Sequence, residues 1–244
     1  MLKIKKIFLL VFVMILIFSF SLQAEDLLEM GIEEYNKGSY QNAIDYLTDY
    51  AAENNDSYLS YFYLGLSYTE LQQFDLAISS FNYARKIKGD SYNLLVNLAR
   101  AHYNNNEKDM AHDLLTKAKK YKPIDEQVYN LLGLIELDKQ EYEESIDNFK
   151  KAIELNDDNL YVYNNISLAY IHIGKFKEAE KYIVKALELD PFEPYVYNNA
   201  GVIYENLTRY EEAFNYYNKA LSVDPDYKKA EINLARIKSK LSEE

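Results

Sequence analysis

The sequence predicts an all-α solenoid built from six 34-residue helix–turn–helix repeats and closed by one terminal helix. Three observations predict it. A set of small residues returns every 34 positions, each period holds two apolar stripes with helical spacing, and no insertion interrupts the series. The clearest period runs from Pro194 to Tyr227. Its first half places Tyr197, Ala200, Gly201 and Tyr204 at i, i+3, i+4 and i+7, one face of a helix. Its second half places Ala213, Tyr217 and Ala220 at i, i+4 and i+7, a second helix. Asp224-Pro225 ends that helix, because proline lacks an amide hydrogen and biases the preceding residue away from α. Gly201 and Ala213 let the two helices approach closely.

The same positions recur through the chain. The Gly201 position reads Gly31, Gly65, Ala99, Gly133 and Ser167 in the earlier periods. The Ala213 position reads Ala43, Ala77, Ala111, Ser145 and Ala179, and Pro225 recurs as Pro123 and Pro191. From about residue 25 to its end the chain therefore resembles the tetratricopeptide repeat family. The resemblance implies a right-handed superhelical α-solenoid whose first helices line a concave groove. It implies binding of a protein or peptide and no cofactor. The repeats fall at 24–57, 58–91, 92–125, 126–159, 160–193 and 194–227, within a repeat domain of 25–227. Departures are local: Glu34 and Tyr50 in the first repeat, His102 in the third, Glu136 in the fourth, and no tryptophan anywhere.

Residues 1–24 read as a signal peptide. Lys3, Lys5 and Lys6 precede an apolar run from Ile7 to Leu22, and Gln23-Ala24 precedes the first acidic residue, Glu25. Sixteen residues fall short of the roughly 20 that a spanning helix needs. An uncleaved anchor over 7–22 is the alternative, and only then is a membrane a partner. In either case the repeats are expected outside the cytoplasm, in the periplasm or cell envelope. Removing three lysines from 27 basic residues leaves 24 against 39 acidic ones, a net charge of −15. That charge argues against nucleic acid, which needs clustered cations. The absence of cysteine excludes thiol catalysis, thiolate metal sites and disulfides.

In chain order, the first repeat turns at Gly38 and carries the departures expected of a terminal unit. The second has the most unusual helix. Tyr61, Leu64, Gly65 and Tyr68 form its packing stripe, while Leu59, Phe62, Tyr63 and Leu66 form a second stripe on another face. Three readings of this stripe stand side by side: packing against neighbouring first helices, a partner patch in the groove, or a homodimer contact through the second repeat. The third repeat supplies Asn97 and Arg100, the latter the one cation on its groove face. Its His102 and His112, with His172 in the fifth repeat, show no metal-binding spacing and read as fillers or solvated groups.

Repeats four to six share VYNLLGL, VYNNISL and VYNNAGV, which set Asn130, Asn164 and Asn198 in one row and Asn165 and Asn199 in a second. Asn97 and Asn233 continue the second row. Asparagine is a mediocre helix former, so its recurrence needs a reason. Family habit is one; a line of donor–acceptor amides facing an extended peptide is the other. Tyr161 and Tyr195 lie beside the row. Lys228 to Leu241 reads as a capping helix over 228–244, with Ile232, Leu234, Ala235 and Ile237 covering the last repeat. Glycosylation-type triplets at Asn55, Asn165 and Asn206 read as chance.

With no Gly-rich phosphate loop, nucleophile elbow or acid–base pair in a catalytic setting, the sequence reads as a non-enzyme. The expected function is an exported protein-interaction scaffold. A structural or assembly subunit of an envelope complex, acting through outer helices or self-association, is the alternative.

Overall fold

The computed structural model describes residues 26–189 and 191–243, and the signal peptide read at 1–24 lies outside them. The described residues are helical without strands. They divide into two compact units, with the division of the chain between Tyr121 and Lys122. The first contains α1 (26–36), α2 (Tyr40–Glu53), α3 (Tyr58–Glu70), α4 (Phe74–Lys88), α5 (Tyr92–Asn104) and α6 (Lys108–Ala118). The second contains α7 (Glu126–Asp138), α8 (Tyr142–Leu155), α9 (Leu160–His172), α10 (Phe176–Glu188), α11 (Pro194–Asn206), α12 (Tyr210–Val223) and α13 (Lys228–Glu243).

Local chemistry sets the helix boundaries. Ser57, Ser91, Asp125 and Asn159 each accept a backbone N–H with the side chain at the start of α3, α5, α7 and α9. Pro194 opens α11, where its missing amide hydrogen costs nothing. The turn inside each repeat is left-handed. Gly38, Gln72, Asn106, Gln140, Gly174 and Thr208 stand 34 apart, all with φ between +58° and +79°. The N–H of the next residue returns to a carbonyl five residues back, as from Gln73 to Tyr68 at 2.8 Å and from Arg209 to Tyr204 at 2.9 Å. This Schellman closure satisfies the end of the first helix.

Each repeat packs its two helices through a contact spanning 16 residues. A Cβ on Gly65 would lie 2.6 Å from the ring of Phe81, on Gly133 2.7 Å from Phe149, and on Gly201 2.4 Å from Tyr217. Where the first partner already has a Cβ, as in Ala99 and Ser167, the second is Leu115 or Ile183. All of these partners are buried. First helices also touch directly, α3 with α5 in the first unit, and α7 with α9, α9 with α11 and α11 with α13 in the second.

The terminal helix differs in detail from its sequence reading. Ala230, Leu234 and Ile237 are buried, whereas Ile232 is 64% exposed and Ala235 is exposed. The buried register is i, i+4, i+7, so Ile232 and Ala235 fall on the solvent face. Lys240 is half-buried. Its Nζ reaches Glu205 Oε1 at 3.0 Å, while Arg236 grips the same carboxylate at 2.8 and 2.7 Å and the Tyr217 hydroxyl donates to it at 2.8 Å. Burial pushes the Glu205 carboxyl upward, but these donors and the Arg236 charge outweigh it and hold it at about 2. The cluster ties α13 to α11 and α12.

Candidate functional site

The sequence-derived site residues fall into two sets, one in each unit. In the first unit, Leu59 is 45% exposed, and Phe62, Tyr63 and Leu66 are half-buried. Tyr58, Leu59, Phe62, Tyr63 and Tyr92 line an open crevice of about 460 Å³, with Lys88 at its edge. Leu66 is not among its lining residues. Phe62 stacks on Tyr58 at 5.6 Å, meets Tyr63 edge-on at 6.0 Å, and sets its edge against core Phe81 at 5.8 Å. The ring is thus anchored in the core and still presents area to the crevice. Ser60 and Ser67, which the two apolar stripes leave out, are fully buried and share the buried face of the helix with Leu64 and Gly65. Their small volume is the signal that marked them. Arg100 is exposed, and Asn97 spends an amide proton on Asn93 O at 2.8 Å within its own helix.

In the second unit the two asparagine rows have different environments. Asn164 and Asn198 are buried, 2% and 5% exposed, while Asn165, Asn199 and Asn233 are half-buried. The rows bond to each other across helices. Asn199 Nδ2 donates to Asn164 Oδ1 at 2.9 Å, and Asn233 Nδ2 donates to Asn198 Oδ1 at 2.9 Å. These rungs join α9 to α11 and α11 to α13. The equivalent rung, Asn165 to Asn130, is not made. Asn165 Oδ1 instead accepts from Asn164 at 3.4 Å, and Asn130 Oδ1 is buried without a partner. Asn164 and Asn198 are therefore structural, acceptors for the next helix, whereas Asn130 is not engaged in this way. The second row keeps capacity of its own: Asn199 and Asn233 each retain an amide proton and a carbonyl oxygen beyond their rung.

Tyr161 is 48% exposed and Tyr195 half-buried. Burial, with Glu193 and Tyr161 nearby, pushes the Tyr195 hydroxyl up to about 12, so it is a neutral donor at physiological pH. His102 is buried with Nδ1 at 2.5 Å from Glu107 Oε2, and His172 stacks on Tyr142 at 4.9 Å. The His102 partner lies five residues on, brought round by the left-handed turn at Asn106. Among the described residues no cluster of His, Asp or Glu has metal-binding geometry.

Models of the tetratricopeptide repeat match residues 28–92, 125–191 and 194–227, together more than half of the chain. No curated protein matches it. Among solved structures, the APC/C hetero-tetramer Cut9–Hcn1 aligns with a TM-score of 0.77 at 18% identity, over 88% of this chain and 42% of that one. PilF of Pseudomonas aeruginosa aligns with a TM-score of 0.75 at 15% identity, over 87% and 97%. YrrB, a tetratricopeptide-repeat protein with an unusual peptide-binding site, aligns with a TM-score of 0.59 at 18% identity, over 75% and 95%. At these identities the structures share the fold. The chain spans less than half the length of the Cut9–Hcn1 chain it matches. From the three repeat matches and the helix pairs that carry them, the chain belongs to the tetratricopeptide repeat family.

Proposed function

We propose that this chain, a protein-interaction scaffold by family, is a non-enzymatic one that acts outside the cytoplasm and holds an extended segment of a partner protein against its first helices. One observation carries the reading: Asn165, Asn199 and Asn233 remain partly exposed on α9, α11 and α13, helices that touch in sequence order, with Tyr161 and Tyr195 beside them. An extended backbone offers amides at regular intervals, and half-used asparagine amides suit it without reading its side chains. YrrB lends support as a similarly folded protein with a peptide-binding site. Export rests on the basic start and short apolar run of residues 1–24. A photo-crosslinking aromatic residue placed at Tyr161 should capture a partner from an envelope extract. The same residue placed at exposed Asn215 on α12 should not. Equal capture from both positions would refute the first-helix assignment.

A second reading, assembly through outer helices or self-association, has its own observation. Leu76 and Tyr83 on α4 stand seven residues apart on one face and are 49% and 53% exposed. Light scattering would reveal an oligomer, and Leu76→Ser with Tyr83→Ser would dissociate it under this reading.

A further inference from the structure

Two crevices on the second unit occupy equivalent places, 34 residues apart. One lies between α8 and the α9–α10 turn, has a volume of about 250 Å³, and is bordered by Glu143, Asp147, Lys150 and Ile173. The other lies between α10 and the α11–α12 turn, has a volume of about 710 Å³, and is bordered at the same places by Lys177, Lys181, Val184 and Leu207. Among the exchanges that separate them, Ile146 becomes Glu180, which Arg209 neutralises, and two others change the volume and the sign of the rim. Lys150, which projects toward Tyr170 with its Nζ 5.8 Å from the ring centre, becomes Val184, so the chain that fills the smaller crevice is missing from the larger. The acidic rim of Glu143 and Asp147 becomes the basic rim of Lys177 and Lys181.

Those two lysines are exposed, and no ion pair involves either among the described residues. The third cation of the crevice, Arg209, is already engaged. It pairs with Glu180 and Glu212 and lies 4.3 Å from the centre of the Tyr204 ring. Glu180 is likewise taken up by Arg209, so the uncompensated charge at the mouth is positive. Beneath it, Val184 and Leu207 form an apolar floor. In a chain of net charge −12, this is a local reversal of sign over an unfilled apolar surface.

The geometry points to a docking site for an acidic protein segment, in which carboxylates flank an apolar side chain. The apolar group sits on Val184 and Leu207, and the carboxylates pair with Lys177 and Lys181. Charge complementarity selects the acidic partner, and the exchange of Lys150 for Val184 supplies its space. This surface is separate from the first-helix face carrying the asparagine row.

The test is fluorescence anisotropy with the intact chain and a labelled peptide of sequence Glu-Leu-Asp-Leu-Glu. Its neutral analogue, Gln-Leu-Asn-Leu-Gln, serves as control. The acidic peptide is expected to bind saturably at one site, at least tenfold more tightly than the analogue. Lys177→Gln with Lys181→Gln should weaken it at least tenfold. Val184→Lys is the sharper variant, because it adds a positive charge yet refills the floor as Lys150 does. It should also weaken binding at least tenfold, with helicity unchanged by circular dichroism. Undiminished or tighter binding to that variant would show that charge alone attracts the peptide and would overturn the site. In the converse experiment, Glu143→Lys, Asp147→Lys and Lys150→Val together should raise the stoichiometry from one to two. A stoichiometry that stays at one counts against the crevice, as does capture of phosphatidylglycerol vesicles instead of the peptide. Tyr161→Ser with Tyr195→Ser should leave this peptide's affinity unchanged, which separates failure here from failure of the first-helix reading.

Discussion

In the fourth repeat Gly133 lies under the ring of Phe149; in the fifth the same two places hold Ser167 and Ile183, and all four are buried. The second and sixth repeats follow the fourth, with Gly65 under Phe81 and Gly201 under Tyr217. The third follows the fifth, with Ala99 and Leu115. The two places stay buried in each of these repeats while their filling changes. Glycine faces an aromatic ring in these three repeats and Leu47 in the first, whereas each Cβ faces an aliphatic side chain. A small-residue position is therefore half of a pair, and tolerance at one member is set by the other.

The largest effect should come where the ring cannot retreat. Tyr217 is tethered through its hydroxyl to Glu205 at 2.8 Å, and a Cβ on Gly201 would sit 2.4 Å from its ring. Gly201→Ala should destabilise by about 3 kcal/mol, the upper end of overpacking costs. Hydrogen exchange of α11 and α12 should report the loss, and unchanged protection would contradict it. Glu205→Gln should cost about 1–3 kcal/mol, less than breaking a fully buried pair, because Arg236 and Lys240 are half-exposed. Since the Glu205 carboxyl sits at about 2 in the fold, below its ordinary 4.5, its contribution is present above pH 4.5 and disappears as pH falls toward 2. Thermal midpoints of wild type and Glu205→Gln should therefore converge in acid.

The fourth repeat offers the direct exchange. Gly133→Ser alone should cost about 1–3 kcal/mol. Adding Phe149→Ile, which rebuilds the pair of the fifth repeat, should return stability to within about 1 kcal/mol of wild type. Strictly additive losses would show that the two positions do not compensate. The smallest effect should be in the turns. Thr208 is β-branched at φ +60°, where Gly174 stands in the preceding repeat at +70°. Thr208→Gly should raise stability by about 1 kcal/mol, since a side chain in the left-handed region is strained. A lowered melting temperature would count against the comparison.

The repeat and the helix pairs were legible because they depend on residues close in sequence or spaced by a constant period, and the first-helix caps carried a local signal that went unread. Ser57, Ser91, Asp125 and Asn159 are capping types just ahead of apolar stripes. What stayed hidden depends on one residue's answer to a distant one. The Gly133–Phe149 match crosses 16 residues, and the Glu205–Arg236 pair crosses 31. The asparagine rows were visible as rows, but only the stacking of α9 on α11 shows that Asn164 is an acceptor for Asn199. At Thr208 and Gln140 the left-handed turn was masked, because neither residue type favours it. The crevice at Lys177 depends on side chains from α10 and the α11–α12 turn that no local pattern links.

The central functional claim is that the first-helix face of the second unit holds an extended partner segment. Its most direct test is a titration of the segment captured at position 161, carried out on wild type and on Tyr161→Ser, Asn165→Ala and Tyr195→Ser combined. None of these three side chains makes a rung between helices, so circular dichroism should be unchanged. Each lost hydrogen bond is worth about 0.5–1.5 kcal/mol, and tenfold in affinity is about 1.4 kcal/mol. The combined variant should bind at least tenfold more weakly. An affinity equal to wild type, with the fold intact, would contradict the claim.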